Sequence, residues 1–511
     1  IGANYESAIQ AKEGFVLNPQ LDWENLYKAN SSISQGGEAA YVLYDDVIKD
    51  NQFTANITSN IDVNSHLKVD IGFTHKRLSS KNFAQINDLL GAAYHRDIDT
   101  FSETLNDTSS DVNKFEEEIF NYNYNLNGSN TAMFTQLNAN YNKVKVFVTG
   151  KYVLDNFRRN GLFQNERFLD NSIGESEQIK FSNWSIKSGA TYTITGRHWV
   201  AVNTAYINRA PVLQNIFINP RENNAIVPDL QSERITSVDA SYFLRMPKLT
   251  GRLTGFYTRF QNTTDVNFFF VDSGVGSDFV QEVLTDLDKL HLGAELGLEY
   301  QLSSAVKLSL VTSIAKYEYA SNPFVTINFD TAGASEDLID VSGSKFLGQS
   351  AVKGYKLAQG PQKAIAAGIE YRDPKYWWIS GSANYLGNNY ANISTITRTQ
   401  SFLIDPETQL RFTDATDENV QKLLKQKPLD NFYLLNMVGG KSWLRKGKYI
   451  SVFASINNVF DTTFRTGGYE QSRNGNYGQL KQDNLSGNPS FAPKYWYGFG
   501  RTYFLNFAFS F

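Results

Sequence analysis

Five histidines, His66, His75, His95, His198 and His291, are the first residues to weigh for chemistry, because a zinc or iron centre needs several ligands converging on one point. They are scattered over different segments, and cysteine is absent, so the sequence assigns no metal site, no disulfide and no cofactor. Carboxylates gather in two places. Glu116-Glu117-Glu118 with Asp97, Asp99, Asp107 and Asp111 make residues 79–128 acidic; this reads as a solvated loop, with divalent cation binding as the alternative. Glu295 and Glu299 fall on one face of an alternating segment, as an acid–base pair would, and read instead as part of a hydrated wall. Neither a G-x-S-x-G nor a phosphate-loop spacing occurs, and no residue is assigned a catalytic role. Among loop aromatics, Tyr94, Phe412 and Tyr469 have the chemistry to stack on a sugar or a peptide, and equally that of ordinary loop packing.

The elements that would position these residues are strands. The chain ends with Tyr503, Leu505, Phe507, Phe509 and Phe511 on one face of a period-two pattern, and Phe504, Asn506, Ala508 and Ser510 on the other. An apolar face backed by a small, polar one fits a strand with lipid outside and a wet lumen inside. The terminal phenylalanine resembles the signal by which bacterial outer-membrane barrels are recognised for assembly. Upstream, Leu290, Leu292, Ala294, Leu296, Leu298 and Tyr300 alternate with His291, Gly293, Glu295, Gly297 and Glu299; those charges suit a hydrated lumen and would be costly in a packed sandwich core. The same rhythm begins at 51–62 and 67–74 and returns at 131–140, 143–154, 184–195, 198–208, 235–246, 249–259, 290–302, 305–319, 363–373, 376–390, 432–443 and 449–460. With the last strand that makes 15, joined alternately by tight turns and by long connections at 79–128, 156–180, 210–233, 320–361, 393–431 and 461–499. Short turns on one rim and long loops on the other is the pattern of outer-membrane barrels. A helix is expected within 418–426, capped by Thr416-Asp417, and Tyr152, Trp377, Tyr385, Tyr495, Trp496 and Tyr497 are read as interfacial girdle.

Composition agrees. Aromatics are abundant (28 Tyr, 36 Phe, 7 Trp) and Pro is scarce at 12, which suits long ladders. The balance of 48 basic against 52 acidic residues argues against a nucleic-acid partner. No apolar run reaches the ~18 residues a membrane helix requires, whereas a barrel strand needs only about 9–11, half of them polar. The expectation is an all-β, transmembrane antiparallel β-barrel: residues 1–50 form a loop or partial-strand region, with 39–48 a doubtful strand, and 51–511 form the barrel. Bacterial single-chain barrels are even-numbered, so 15 strands call for about 16, a porin size, or about 22, the size of plugged transporters.

The residues favour the second. Arg209-Ala210-Pro211, Asn219-Pro220, Pro228-Asp229-Leu230 and Glu233 resemble an R-x-P…N-P…P-x-L…E signature of TonB-dependent outer-membrane transporters. Asn457, Asn458, Phe460 and Asp461, in Ile456-Asn457-Asn458-Val459-Phe460-Asp461, look like the strand end found near the C-terminus of that family. Gly467-Gly468-Tyr469, Pro493 to Gly498 and Arg501-Thr502-Tyr503 are similar to its Bacteroidota branch, whose members often carry a carboxypeptidase-regulatory-like domain and serve starch-type utilisation. The resemblance covers about residues 50–511. It implies a plug and a TonB-contacting segment, of which no α/β stretch is visible here, so the chain is expected to be the C-terminal portion of a longer protein. It also implies energised uptake of a glycan, peptide or metal chelate, with outer-membrane lipid, the TonB complex, the barrel-assembly machinery and a surface lipoprotein lid as partners. The alternatives are a docking barrel that binds surface lipoproteins or secretion partners, and a passive 16-strand porin.

Overall fold

The computed structural model describes residues 13–14, 16–32, 37–99, 102–272, 277–329, 343–358, 360–485, 487 and 489–510. Among the described residues the main sheet has 18 strands, of which fifteen form its continuous wall. They are β1 (Leu43–Asp62), β2 (Leu67–Asp88), β3 (Ile119–Tyr141), β4 (Val144–Gly161) and β5 (Ile179–Thr195). Next come β6 (His198–Arg209), β7 (Glu233–Arg245), β8 (Leu249–Asp272), β9 (Ser277–Gln301) and β10 (Val306–Tyr319). The last are β11 (Lys363–Asp373), β12 (Trp377–Gly387), β13 (Phe432–Arg445), β14 (Lys448–Asn457) and β15 (Thr502–Ser510). Each pairs antiparallel with its neighbours in this order, and of the fifteen β1 and β15 pair on one side only among the described residues. Three helices lie outside the sheet: α1 (Trp23–Ser32), α2 (Asp417–Leu423) and α3 (Tyr477–Leu485).

Register carries the alternation across the whole sheet. Ile450, Val452, Ala454 and Ile456 of β14 stand opposite Phe509, Phe507, Leu505 and Tyr503 of β15, one apolar face against the other. Leu253 and Tyr257 of β8 likewise face Leu296 and Leu292 of β9, while Thr254 faces Glu295 on the polar side. The apolar residues stay exposed: Ile57 is 70 %, Phe507 71 % and Ile369 54 % accessible. Total accessible surface is 29,899 Å². A globular soluble chain of this mass would expose about 19,000 Å². The difference is that of a single sheet with both faces bare, which lipid and a hydrated lumen are suited to cover.

On the inner face, aromatic rings lie flat over glycines across the ladder. A Cβ on Gly72 would come within 2.1 Å of the Phe134 ring, and one on Gly189 within 2.4 Å of Phe147. Bare backbone is thereby covered.

Strand existence and order follow the sequence reading, but the strands are longer. The 39–48 segment is no separate strand: from Leu43 it is the start of β1. β2 extends to Asp88 and β3 starts at Ile119, so that loop spans 89–118 rather than 79–128. Most marked, β8 and β9 run 24 and 25 residues and project well past the band that about 9–11 residues cover. At the bend, Asn262 and Asp286 both take left-handed φ (55° each), beside a register shift between Phe260 and Thr263. Short polar side chains tolerate that conformation best after glycine. Above the bend, Phe324–Phe329 and Ser344–Gln349 pair onward from β9 and extend the wall. In this upper region protein covers both faces, so the contrast between lipid and water that writes the alternation is gone.

Candidate functional site: the long-loop rim and the polar wall below it

The polar faces of β1 to β4 are stitched together. Asn60 donates to Asp70 (2.5 Å), Asn138 to the other oxygen of Asp70 (2.6 Å), Gln136 to Asn138 (2.8 Å) and Thr149 to Gln136 (2.8 Å). Further round, Asn203 donates to Asp239 (3.0 Å), and Lys307 lies 3.6 Å from Glu299. Glu295 and Glu299 both stand on this polar face, opposite Thr254 and Thr250. A wall of amides, hydroxyls and paired charges offers hydrogen-bonding groups to a polar solute or a polar protein surface.

Above the wall the loops pack into two lobes. The first combines the upper ends of β2 to β4 with the 210–232 loop around Phe120, Tyr122, Tyr124, Ile216 and Phe217. At its centre Arg159, 1 % exposed, donates to the carbonyls of Pro220 (2.7 Å) and Ser172 (2.8 Å) and to Asn224 (2.6 Å), and lies over the Tyr124 ring. Burial pushes its guanidinium down to about 10. Close by, Tyr122 donates to Asp46 (2.5 Å), and burial followed by that hydrogen bond raises the phenol. In the 89–118 loop, burial raises the Asp97 carboxyl although Asn106 and the Asn121 amide donate to it.

The second lobe joins the upper β8–β9 hairpin to the 320–362 and 388–431 loops around Val280, Leu284, Leu287, Val325, Ile327, Ile393 and Ile396. Arg398, 1 % exposed, bridges to Glu470 (2.7 Å) and donates to the carbonyls of Ser394 (2.8 Å) and Leu424 (2.9 Å), with Tyr355 beneath it. Glu282 on β9 is fully buried; Thr395 donates to it, as does Asn267 (3.0 Å), and burial raises its carboxyl to about 6. The hairpin also touches the first lobe: Val283 and Val266 pack on Ile218 and Val227, and Asn215 donates to the Thr264 carbonyl (2.6 Å). It is a keystone between the lobes.

Several residues singled out in the sequence act in this scaffold. Arg209 and Glu233 are register partners and form an ion pair (2.6 Å) that closes the base of the 210–232 loop. Pro211 and Asn219 are buried, and Pro220 supplies the carbonyl to Arg159. Asn457 ends β14; Asn458 and Asp461 take left-handed φ (51° and 55°) in the turn that follows, and Asp461 accepts from the Arg501 amide (2.7 Å). Phe460 is 71 % exposed. Tyr503, Phe507 and Phe509 lie on the apolar face, and Phe511 falls outside the described residues. The three candidate stacking aromatics are not brought together. Tyr94 pairs through its backbone with Gly37 and Ala39, Phe412 packs on Tyr477 (5.8 Å), and Tyr469 tilts against Trp496 (5.7 Å). Thr416 caps α2 as expected, accepting from the Asn419 amide (3.3 Å). Trp377 and Tyr385 sit at opposite ends of β12 on its apolar face, whereas Tyr495–Tyr497 belong to a two-stranded ribbon with Arg465–Tyr469.

A cavity of about 370 Å³ opens beside that ribbon, lined by Asp430, Tyr433, Thr463, Phe464, Arg465 and Tyr497. Among the described residues no group of three or more His, Cys, Asp or Glu is placed to hold a metal ion. The histidines are dispersed, His66 against Tyr141, His75 on Thr131, His198 on Tyr242 and His291 between Phe260 and Tyr317. Arg159, Arg398 and Glu282, the buried charges that hold the lobes, also reach partners 61, 72 and 113 residues away, which no local pattern in the sequence announces.

Comparison with known proteins bears on what such a rim belongs to. A family model described as "TonB dependent receptor-like, beta-barrel" matches residues 2–459. Among solved structures, the copper transporter OprC superposes with a TM-score of 0.56 at 14% identity, over 91% of this chain and 57% of its own. The siderophore receptor PiuA from Acinetobacter baumannii gives 0.56 at 12%, over 91% and 56%. The ferric yersiniabactin uptake receptor FyuA from Yersinia pestis gives 0.52 at 12%, over 91% and 54%. This chain thus spans little more than half the length of each. No curated protein sequence matches it.

Proposed function

The chain belongs to the TonB dependent receptor-like β-barrel family of the bacterial outer membrane, and from that premise we propose that it is the wall and outer rim of an energised nutrient transporter. The observation that carries this reading is the pair of packed loop lobes standing on one rim of a barrel sheet whose other rim has only tight turns. A pore for passive leakage has no use for buried arginines and a keystone hairpin above its mouth; a receptor that must first hold a scarce solute does.

In this proposal solute is captured among the long loops, where Tyr94, Phe412 and Tyr469 stand on separate segments. It then descends along the polar wall when a lumenal domain, coupled to TonB through a region outside the described residues, is pulled aside. The barrel body is 51–511, with β1 reaching back into the 1–50 lead-in. The tail motifs similar to the Bacteroidota branch support a surface lipoprotein as partner, and in this proposal the barrel-assembly machinery inserts the protein through the β15 face. Glycan, peptide and metal chelate remain the ligand classes. No step calls for a catalytic group.

The test compares uptake of candidate solutes by cells with and without the gene, before and after a protonophore collapses the inner-membrane gradient. Gene-dependent, protonophore-sensitive uptake is the expected result. Gene-dependent uptake that the protonophore leaves unchanged, with open conductance in planar bilayers, would show a passive pore. A stable surface complex with no change in uptake would show a docking barrel.

A further inference from the structure

On strands β7 to β11 the lipid-facing residues follow a rule that the transport reading does not use. Register fixes which residues share the apolar face. On β7 they are Leu244, Tyr242, Ala240, Val238 and Thr236, then Arg234. On β8 the run from Leu249 to Tyr257 is followed by Arg259. On β10, Leu308 to Ile314 is followed by Lys316, and on β11, Tyr371 to Ile365 is followed by Lys363. The apolar runs span about 7–9 residues of strand, close to the thickness of a bilayer core for a tilted strand. Four of the five runs end in a cation, always at the long-loop boundary; on β9 the run from Tyr300 to Leu290 ends instead in Asp288.

At the opposite boundary the same face presents Leu244, Leu249, Tyr300, Leu308 and Tyr371, with no Lys or Arg. A row of cations kept for solubility would fall on both sides. Nor is the row absorbed internally. Asp288 pairs with Arg259 (2.8 Å), and Glu318 is shared between Lys316 (2.7 Å) and Lys356 (2.6 Å). Arg234 and Lys363 are exposed and have no ion-pair partner among the described residues. Five cations against two carboxylates leave a positive belt on a protein whose formal net charge is −4.

We propose that this belt docks phosphate-bearing lipid headgroups of the outer leaflet, through Arg234, Arg259, Lys316 and Lys363. The inference rests on the outer-membrane placement and not on the transport proposal. Charge complementarity selects the occupant. The belt lies just beyond the hydrocarbon band, where a lipid phosphate sits, and a juxtamembrane cation attracts an anionic surface there. It is spread over four strands of a five-strand span, too wide for one inorganic ion, and it faces away from the lumen, so transported solute does not pass it. Lys and Arg stems lie along the apolar band while their heads reach the headgroup level.

The test uses the full-length protein purified from outer membranes and exchanged into nanodiscs of phosphatidylcholine containing a minor fraction of phosphatidic acid. Lipids retained after extraction into mild detergent are counted by native mass spectrometry. Wild type is expected to enrich phosphatidic acid over phosphatidylcholine, and R234Q/K316Q/K363Q to lose that enrichment, by about fivefold per cation removed. R234K/K363R preserves charge and should retain it, which separates charge loss from a folding defect. K422Q on α2, far from the band, is the neutral control. Equal retention of both lipids by wild type, or an unchanged preference in the triple variant with barrel mobility on gels intact, would overturn the proposal. Full displacement by millimolar inorganic phosphate would also overturn it, by showing a free-anion site.

Discussion

Glu282 gives the sharpest test of the keystone. Its carboxyl is fully buried between Thr395 and Asn267 on the upper β8–β9 hairpin, and burial raises it from the ordinary value of 4.5 to about 6. The charged groups around it are Asp265, which reinforces the rise and is itself held by Lys289, and on the facing loop the Arg398–Glu470 pair. Below pH 4.5 the carboxyl is protonated whether the hairpin is docked or open, and burial carries no electrostatic cost. Between 4.5 and about 6 the open form ionises while the docked form resists, so docking weakens as pH rises. Above about 6 the loss is complete at roughly 2 kcal/mol. Local opening at residues 263–272 and 277–287 is therefore expected to be about eightfold more frequent at pH 7 than at pH 5. Hydrogen–deuterium exchange on the nanodisc-embedded protein, corrected for intrinsic exchange rates, reads this directly. In Glu282→Gln the amide still accepts from Thr395 and cannot ionise, so protection should be flat with pH and, at pH 7, at least equal to wild type. A slope of equal size in Glu282→Gln, or no slope in wild type, would refute the reasoning.

The other predictions concern the lobe, the lipid face and the ring-on-glycine contacts. Arg398→Met should take the ion-pair partner from Glu470, which keeps only the Ser394 amide, and remove one donor each from the Ser394 and Leu424 carbonyls. A loss of about 3–5 kcal/mol in that lobe is expected, seen as rapid proteolysis of the 388–431 loop while the barrel keeps its heat-modifiable gel mobility. Leu505→Arg places a charge on the lipid face and should cost about 2–4 kcal/mol in urea unfolding, whereas Asn506→Arg on the inner face should be near neutral. Gly72→Ala drives a methyl into the Phe134 ring and should cost about 1–3 kcal/mol; the double variant with Phe134→Leu should recover part of it.

The sequence shows the wall plainly because β-strand side chains alternate between two solvents as unlike as lipid and water. Leu290 to Tyr300 displays that contrast at every position, and the tight turns fix where each strand reverses. The contrast fails at 79–88, 119–130 and 260–289, where Ala84, Phe120 and Val283 are buried among other loops. There the strands continue without a pattern to announce them. The lobes were still less legible: Arg398 finds Glu470 from 72 residues away, and only the fold makes them neighbours. Of the resemblance motifs, Arg209 and Glu233 turn out to meet each other, while Asn458 and Asp461 shape a turn.

The meander has a consequence for how such a protein changes over generations. Each of the fifteen wall strands bonds to its sequence neighbours in the wall, so each long loop is closed at its base by strands that pair without it. Doubling the length of such a loop adds only about 0.6 kcal/mol of closure entropy. A single-residue insertion within β8 or β9 is another matter, since it carries every side chain beyond it to the wrong solvent. A change of loop length thus costs little closure entropy at the rim that meets the environment, whereas a change of strand length is forbidden a few residues below. A lineage can rewrite the length of its outer loops many times over while its membrane wall stays the same.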